Sequence, residues 1–583
     1  MIWRTLLAVA VIVVGAAVER PVGQRTLVPV TDAMLRSPAP SEWLMWRRTF
    51  DSWGYSPLDQ IGRSNVGGLA LVWSRGLTAG IQEGTPLVHD GVMFMPNPLD
   101  VVQAIDAATG DLLWQYRRQL PADIGQFVPF PAINRNLAIY GSTILDTSAD
   151  DYVYALDAGS GELVWETPIL DYRKNAAQQT SGPIVARGMV VSGRGCEPKG
   201  GPDACVITAH DARTGKELWR TRTIPMPGAP GDETWGGVPF ESRWHVGTWM
   251  VPSYDPELDL IYVGTSVTSP APKFALGGNG REHLYHNSTL ALRADTGRIA
   301  WYYQHVIDHW DLDHPFERLL VDTSVAPSRD DVSWINPRLR PGERRRVVTG
   351  IPGKTGIVYT LDRQTGEFLW ARPTIEQNVV ADIDGATGRV TVNPEAIFTA
   401  TGQSRLVCPG LNGGKNWQAG AYSPLTNTMY FPLQNTCMTV TAQIDRPSLS
   451  SLYGFSSRSQ LAPGSGDNLG AVHAIAVDTG ETVWTYEQRA ATTSLVATGG
   501  RLLFGGDANG RFRAFDQETG EVLWEVNLGA AVTGYPITYA VAGRQYVAVS
   551  TGGSLATGGL NGLTPELRPG ATNTLFVFAL PNS

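Results

Sequence analysis

Along the chain, short runs of apolar β-branched and aromatic residues alternate with polar turns, and one eleven-residue form of that pattern recurs seven times. It reads approximately Ala-x-Asp-x-x-Thr-Gly-x-x-x-Trp. The copies are Ala104 to Trp114 (AIDAATGDLLW), Ala155 to Trp165 (ALDAGSGELVW), Ala209 to Trp219 (AHDARTGKELW), Ala291 to Trp301 (ALRADTGRIAW), Thr360 to Trp370 (TLDRQTGEFLW), Ala474 to Trp484 (AIAVDTGETVW) and Ala514 to Trp524 (AFDQETGEVLW). Each predicts a β-hairpin: an apolar strand ends at Ala-x-Asp, Thr-Gly turns the chain, and a second strand delivers the tryptophan. The turn needs glycine for positive φ, and the Asp and Thr side chains can bond the turn backbone.

Successive tryptophans of the repeat lie 51, 54, 82, 69, 114 and 40 residues apart. The longest interval reads as two units, because it holds a degenerate hairpin at Ala421 to Pro432 (AYSPLTNTMYFP), so eight units are expected. Short-strand units of about 40–70 residues that cannot bury their own faces predict an all-β, eight-bladed β-propeller. A linear stack would want atypical capping repeats. The strand-like segment Asn573 to Leu580 is expected to pair with strands near the N-terminus and close the last blade. Segments 219–301 and 370–484 are expected to form loops over one mouth of the ring and to carry function.

At 583 residues, a prior of about 150 residues per domain suggests about four domains, but the repeat replaces them with one ring spanning 18–583. Only 17% of residues are charged, the net charge is −9, and no basic block follows a phosphate backbone, so nucleic-acid partners are set aside. Residues 1–17 read as a cleaved export signal, with Arg4, the apolar run Leu6 to Val14, and Gly15, Ala16 and Ala17. The apolar stretch falls short of the ~20 residues that span a bilayer, so a periplasmic protein without a stable membrane span is expected. Four cysteines suit an oxidising compartment, and local pairing joins Cys196 to Cys205 and Cys408 to Cys437 among three connectivities. No Cys-x-x-Cys-His occurs, so no covalent haem is expected.

With its repeat, and with the segments Trp43 to Val66, Glu83-Gly-Thr-Pro86, Trp249 to Pro256, Trp310-Asp-Leu-Asp313 and Gly413 to Trp417, the chain resembles the quinoprotein alcohol dehydrogenases. These are eight-bladed propellers that hold pyrroloquinoline quinone (PQQ) and a metal on the ring axis. PQQ is a flat, tricarboxylated ortho-quinone, so its site needs an aromatic floor, cations for the carboxylates, and a Lewis acid at the reactive carbonyl.

The resemblance implies a role for each of several residues. Asp311 becomes the general base that takes the alcohol proton as hydride passes to the quinone. Asp313, two residues on and on the same side of an extended chain, matches a carboxylate of the lanthanide-dependent branch. Glu197, Asp311 and Asp313 form the expected metal set, and hard oxygen ligands suit Ca²⁺ or a lanthanide(III) ion. Trp249 matches the floor, Arg135 a carboxylate partner, and Lys354 the cation beside the reactive carbonyls. Glu83, Thr147 (or Ser148), Gly195, Cys196 and Asn416 match further cofactor contacts.

The chain also departs from the family. Val267 stands where an asparagine carbonyl usually meets the metal, and Pro129 and Phe130 stand near the usual adjacent cysteines over the quinone. Either Phe130 or the Cys196–Cys205 pair could then form the roof. The expectation is a PQQ-dependent dehydrogenase acting on a bulkier primary or secondary alcohol, with electrons leaving to an external acceptor such as cytochrome c. The alternatives are a polyol or sugar quinoprotein dehydrogenase and a non-catalytic propeller scaffold.

Overall fold

The computed structural model describes residues 26–581 except 132, 198, 199, 270, 308, 309 and 444–453, together with the backbone alone of 556–558. The expected export signal and His309 lie outside the described residues. Among the described residues the chain forms eight antiparallel blades of four strands, two of them with a fifth strand added. In the first blade, Leu87–His89, Val92–Asn97 and Val101–Asp106 are buried nearly throughout, while Leu112–Arg117 is largely exposed. The same gradient recurs from blade to blade, as expected of sheets packed face to face around a ring.

The repeat builds the seams between blades. Ala104 pairs with Trp114, Ala155 with Trp165 and Ala514 with Trp524, so a small residue faces each indole across the hairpin. Except for Trp524, whose following blade is split between the chain ends, each repeat indole then lies on the turn glycine of the following blade. A Cβ on Gly161, at φ +76°, would sit 2.5 Å from Trp114, and one on Gly366, also at φ +76°, 2.6 Å from Trp301. Only glycine permits both that backbone and that approach. The indole N–H groups of Trp114, Trp219 and Trp484 donate to Ala158, Ala294 and Gln517 carbonyls of the next blade. Within a turn, Asp362 Oδ1 accepts from the backbone of Gln364 and Thr365 and from the Thr365 hydroxyl.

The ring closes as the C-terminal segment predicts. Thr574–Ala579 pairs with Ala70–Gly76 on one side and Arg544–Thr551 on the other. That strand brings an eighth tryptophan into register: Trp73 pairs with Val577 and lies against Gly110 of the first blade.

The longest interval is organised differently from the expectation. The hairpin of Ala421–Ser423 and Thr428–Gln434 exists, but Thr428–Gln434 pairs directly with Gly470–Ala476, so it belongs to the blade carrying Trp484. The extra length goes into two small sheets, Val380–Ile383 with Val390–Val392, and Ser404–Val407 with Thr436–Ala442 and Phe455–Leu461. Both predicted disulfides, Cys196–Cys205 and Cys408–Cys437, are formed. No helix among the described residues is long and apolar enough to cross a membrane.

Candidate active site

A cavity of about 680 Å³ gathers Arg135, Gly195, Glu197, Trp249, Asp311, Asp313, Lys354 and Asn416 from widely separated points of the chain. Trp310 and Leu312 are fully buried in the core, and this alternation turns both neighbouring aspartates to the same side. Lys354 Nζ donates to Asp311 Oδ1 at 2.6 Å and lies 3.3 Å from Asp313 Oδ2. Burial disfavours the ammonium, but the two carboxylates outweigh it and push the Lys354 pKa up. Burial likewise opposes ionisation of Asp313, yet Lys354 and His245 hold its carboxyl below the usual range. Asp313 Oδ1 also accepts from the Val267 backbone at 2.9 Å.

Trp249 forms one face of the cavity. Phe316 meets it edge-on with ring centroids 5.4 Å apart, and Phe316 in turn rests 4.8 Å from the ammonium of Lys415. Lys415 is fully buried and bonded to Glu317 at 2.6 Å, which makes a rigid support for the indole. The Arg135 guanidinium stands 5.3 Å from the Trp249 ring centroid. It is fixed by Glu83 at 2.6 Å and by the Thr180 carbonyl at 3.2 Å.

Several expected contacts sit elsewhere. Glu83 is behind Arg135 rather than on the cavity wall, and it also accepts from Ser554 Oγ at 2.8 Å. Thr147 is buried in its blade and does not line the cavity; Thr180 does. Cys196 is also off the wall, because its disulfide packs with Ile224, Trp235, Val246 and Leu276 in a separate core. Of the two possible roofs, Pro129 and Phe130 are the residues that line the cavity, joined by Phe127, Ile133, Leu411 and Leu555. Trp417, the end of the Gly413 to Trp417 segment, lines it as well, as do Gln178 and His245, which no repeat or motif singled out.

The donor set fits a metal and an anionic quinone. Glu197 Oε2 is buried without a hydrogen-bond partner, and burial raises its pKa to about 7 against a bond from Gln178. A hard cation beside it would remove that penalty. Asp311 and Asp313 are drawn to Lys354, and Glu197 is bonded to Gln178. Among the described residues, the acidic and histidine donors already within 4.8 Å of one another are Glu42, His89 and Asp90, outside the cavity. There both ring nitrogens of His89 are engaged, by Glu42 Oε2 and the Val28 carbonyl, each at 2.7 Å.

Residues 43–391 and 468–547, more than half of the chain, match the family model described as "PQQ: Glucose/ethanol/alcohol dehydrogenase, beta-propeller domain". The chain belongs to the PQQ-dependent alcohol dehydrogenase family. It is 33% identical over 549 residues to the dehydrogenase subunit of the quinone alcohol dehydrogenase of Komagataeibacter europaeus, covering 88% of this chain and 72% of that protein. It is 30% identical to the 1-butanol dehydrogenase (cytochrome c) of Thauera butanivorans, covering 96% of this chain and 81% of that one. A solved europium-containing methanol dehydrogenase superposes with a TM-score of 0.81 at 27% identity, over 94% of this chain and 99% of that one. This dehydrogenase gathers an indole, three carboxylates and two cations on the wall of one cavity.

Proposed function

We propose that this PQQ-dependent dehydrogenase oxidises a hydrophobic primary or secondary alcohol, larger than methanol, in the periplasm, and passes its electrons to an external acceptor such as a cytochrome c. The observation that carries the reading is the composition of the cavity wall. It combines the charged groups Asp311, Asp313, Lys354, Glu197 and Arg135 with the apolar residues Phe127, Pro129, Phe130, Ile133, Leu411 and Leu555.

In this reading Arg135 holds a carboxylate of PQQ, Lys354 stands beside its reactive carbonyls, Trp249 stacks on its plane, and Glu197 with Asp311 and Asp313 holds the metal. When bound, PQQ supplies the hydride acceptor and the metal polarises it. Asp311 Oδ1 receives the alcohol proton, and the Lys354 ammonium keeps that oxygen ionised beforehand. The apolar wall orients the alkyl group and excludes water from the proton acceptor. Two disulfides support residence in an oxidising compartment. The name of the Thauera relative supports the cytochrome acceptor.

The test is dye-linked turnover of the chain reconstituted with PQQ and either Ca²⁺ or La³⁺, across straight-chain, branched, aromatic and polyhydroxy alcohols. The reading expects kcat/KM to rise from methanol to the larger hydrophobic alcohols. A maximum on sugars or polyols would replace it with the polyol alternative.

A further inference from the structure

The loop that carries Phe127 and Phe130 has a small core of its own. Ile124–Gln126 forms a single 3₁₀ turn, and the Phe127 and Val128 amides both donate to the Ile124 carbonyl, at 3.1 and 2.9 Å. The side chains then divide: Ile124 and Val128 are buried with Ala149 and Tyr172, while Phe127 and Phe130 line the cavity. So few buried contacts give a loop little stability by themselves, and the residue that braces them decides where the apolar wall lies.

Tyr172 is in that position. Its ring meets Phe127 edge-on, with centroids 5.7 Å apart and planes at 84°, and its hydroxyl donates to Asp123 Oδ1 at 2.7 Å. Arg173 bonds both Asp123 oxygens, at 2.9 and 3.1 Å, and its guanidinium stands 4.6 Å from the Tyr172 ring centroid. The turn beneath is fixed as well, since the Lys174 and Asn175 amides donate to the Asp171 carbonyl at 2.9 and 2.7 Å. Tyr172 is only 6% exposed and stands behind the cavity wall.

We infer that Tyr172 is a positioning residue for substrate selectivity, its ring bracing Phe127 in the apolar wall so that a large hydrophobic alcohol meets a preformed surface. This rests on the reading of that wall as the seat of the alkyl group. Without the ring, Phe127 fills the gap by leaving the wall, because close-packed side chains collapse into a void beside them. A large alcohol then loses an apolar contact, whereas a short one loses little.

The test compares wild type, Tyr172→Phe, Tyr172→Ala, Phe127→Ala and the double variant Tyr172→Ala/Phe127→Ala. Each is reconstituted with PQQ and metal and assayed on ethanol and on an aromatic alcohol, and amide hydrogen exchange is followed in the PQQ-free chains. Tyr172→Ala should raise KM for the aromatic alcohol about tenfold or more, with kcat and the KM for ethanol little changed. Tyr172→Phe keeps the ring and should stay close to wild type. The double variant should lose no more than Phe127→Ala, because Tyr172 acts through Phe127. The Phe127 and Val128 amides should exchange about tenfold faster or more in Tyr172→Ala. Equal losses on both alcohols, additive losses in the double variant, or unchanged exchange would overturn the inference and leave the substrate reading standing. A wild type with no preference for the larger hydrophobic alcohol would remove both.

Discussion

The Lys354 ammonium is bonded to Asp311 at 2.6 Å inside the cavity, so the carboxylate we propose as acceptor of the alcohol proton is paired with the cation proposed to stand beside the quinone. Asp311→Asn keeps the shape and removes the proton acceptor. Turnover should fall by about 10²–10⁴-fold with circular dichroism and PQQ binding retained. A variant within a few-fold of wild type would show that Asp311 is not the base.

Glu197 gives a pH signature in the metal-free protein. Its folded pKa of about 7 exceeds its ordinary 4.5, so the folded state binds the extra proton. Its contribution is fully present below about 4.5 and is lost as pH rises through 7. In chelator, the Tm of wild type relative to Glu197→Gln should therefore fall between pH 5 and pH 8. Added metal should stabilise wild type more at pH 8 than at pH 5. Parallel Tm curves for the two proteins would contradict the assignment.

The roof predicts selectivity. Phe130→Ala removes an apolar contact worth about 1–3 kcal/mol for a substrate that reaches it. KM for an aromatic or branched alcohol should rise roughly tenfold or more, while KM for ethanol changes little. Equal effects on both would place Phe130 outside the substrate path.

Ring closure predicts that Trp73 is equivalent to the repeat tryptophans. Trp73 and Trp219 have the same 8% exposure, and each packs on a turn glycine of the neighbouring blade. Trp73→Ala and Trp219→Ala should each destabilise the chain by about 3–5 kcal/mol in chemical denaturation. A neutral Trp73→Ala would mean that the last seam is held differently from the others.

The fold was legible because seven hairpins repeat the same local requirement: an Ala or Thr, a turn glycine and a tryptophan at fixed spacing. Trp73 escaped because its blade is split between the chain ends, so its hairpin partner, Val577, is about 500 residues away. The hairpin at 421–432 was misplaced for a related reason, since spacing counts residues while strand pairing decides which blade they enter. In the site, Asp311, Asp313, Glu197, Trp249, Arg135 and Lys354 lay in recognisable motifs. His245, Gln178 and Thr180 had no pattern to mark them, because their meaning comes from blades brought together around the axis. Cys196 is adjacent in sequence to the wall residues Gly195 and Glu197 but packs into a separate core, and Thr147 is buried in its blade away from the wall.

The central claim is that the axial cavity holds PQQ and a metal together on Trp249. Titration of metal-free protein with PQQ, with and without Ca²⁺ or La³⁺, tests it directly through quenching of tryptophan fluorescence and the quinone absorbance. The account predicts saturation at one PQQ per chain, tightened by metal, with weaker quenching in Trp249→Phe and loss of the metal effect in Glu197→Gln. Absence of saturable PQQ binding under all metal conditions, in protein shown to be folded, would contradict it.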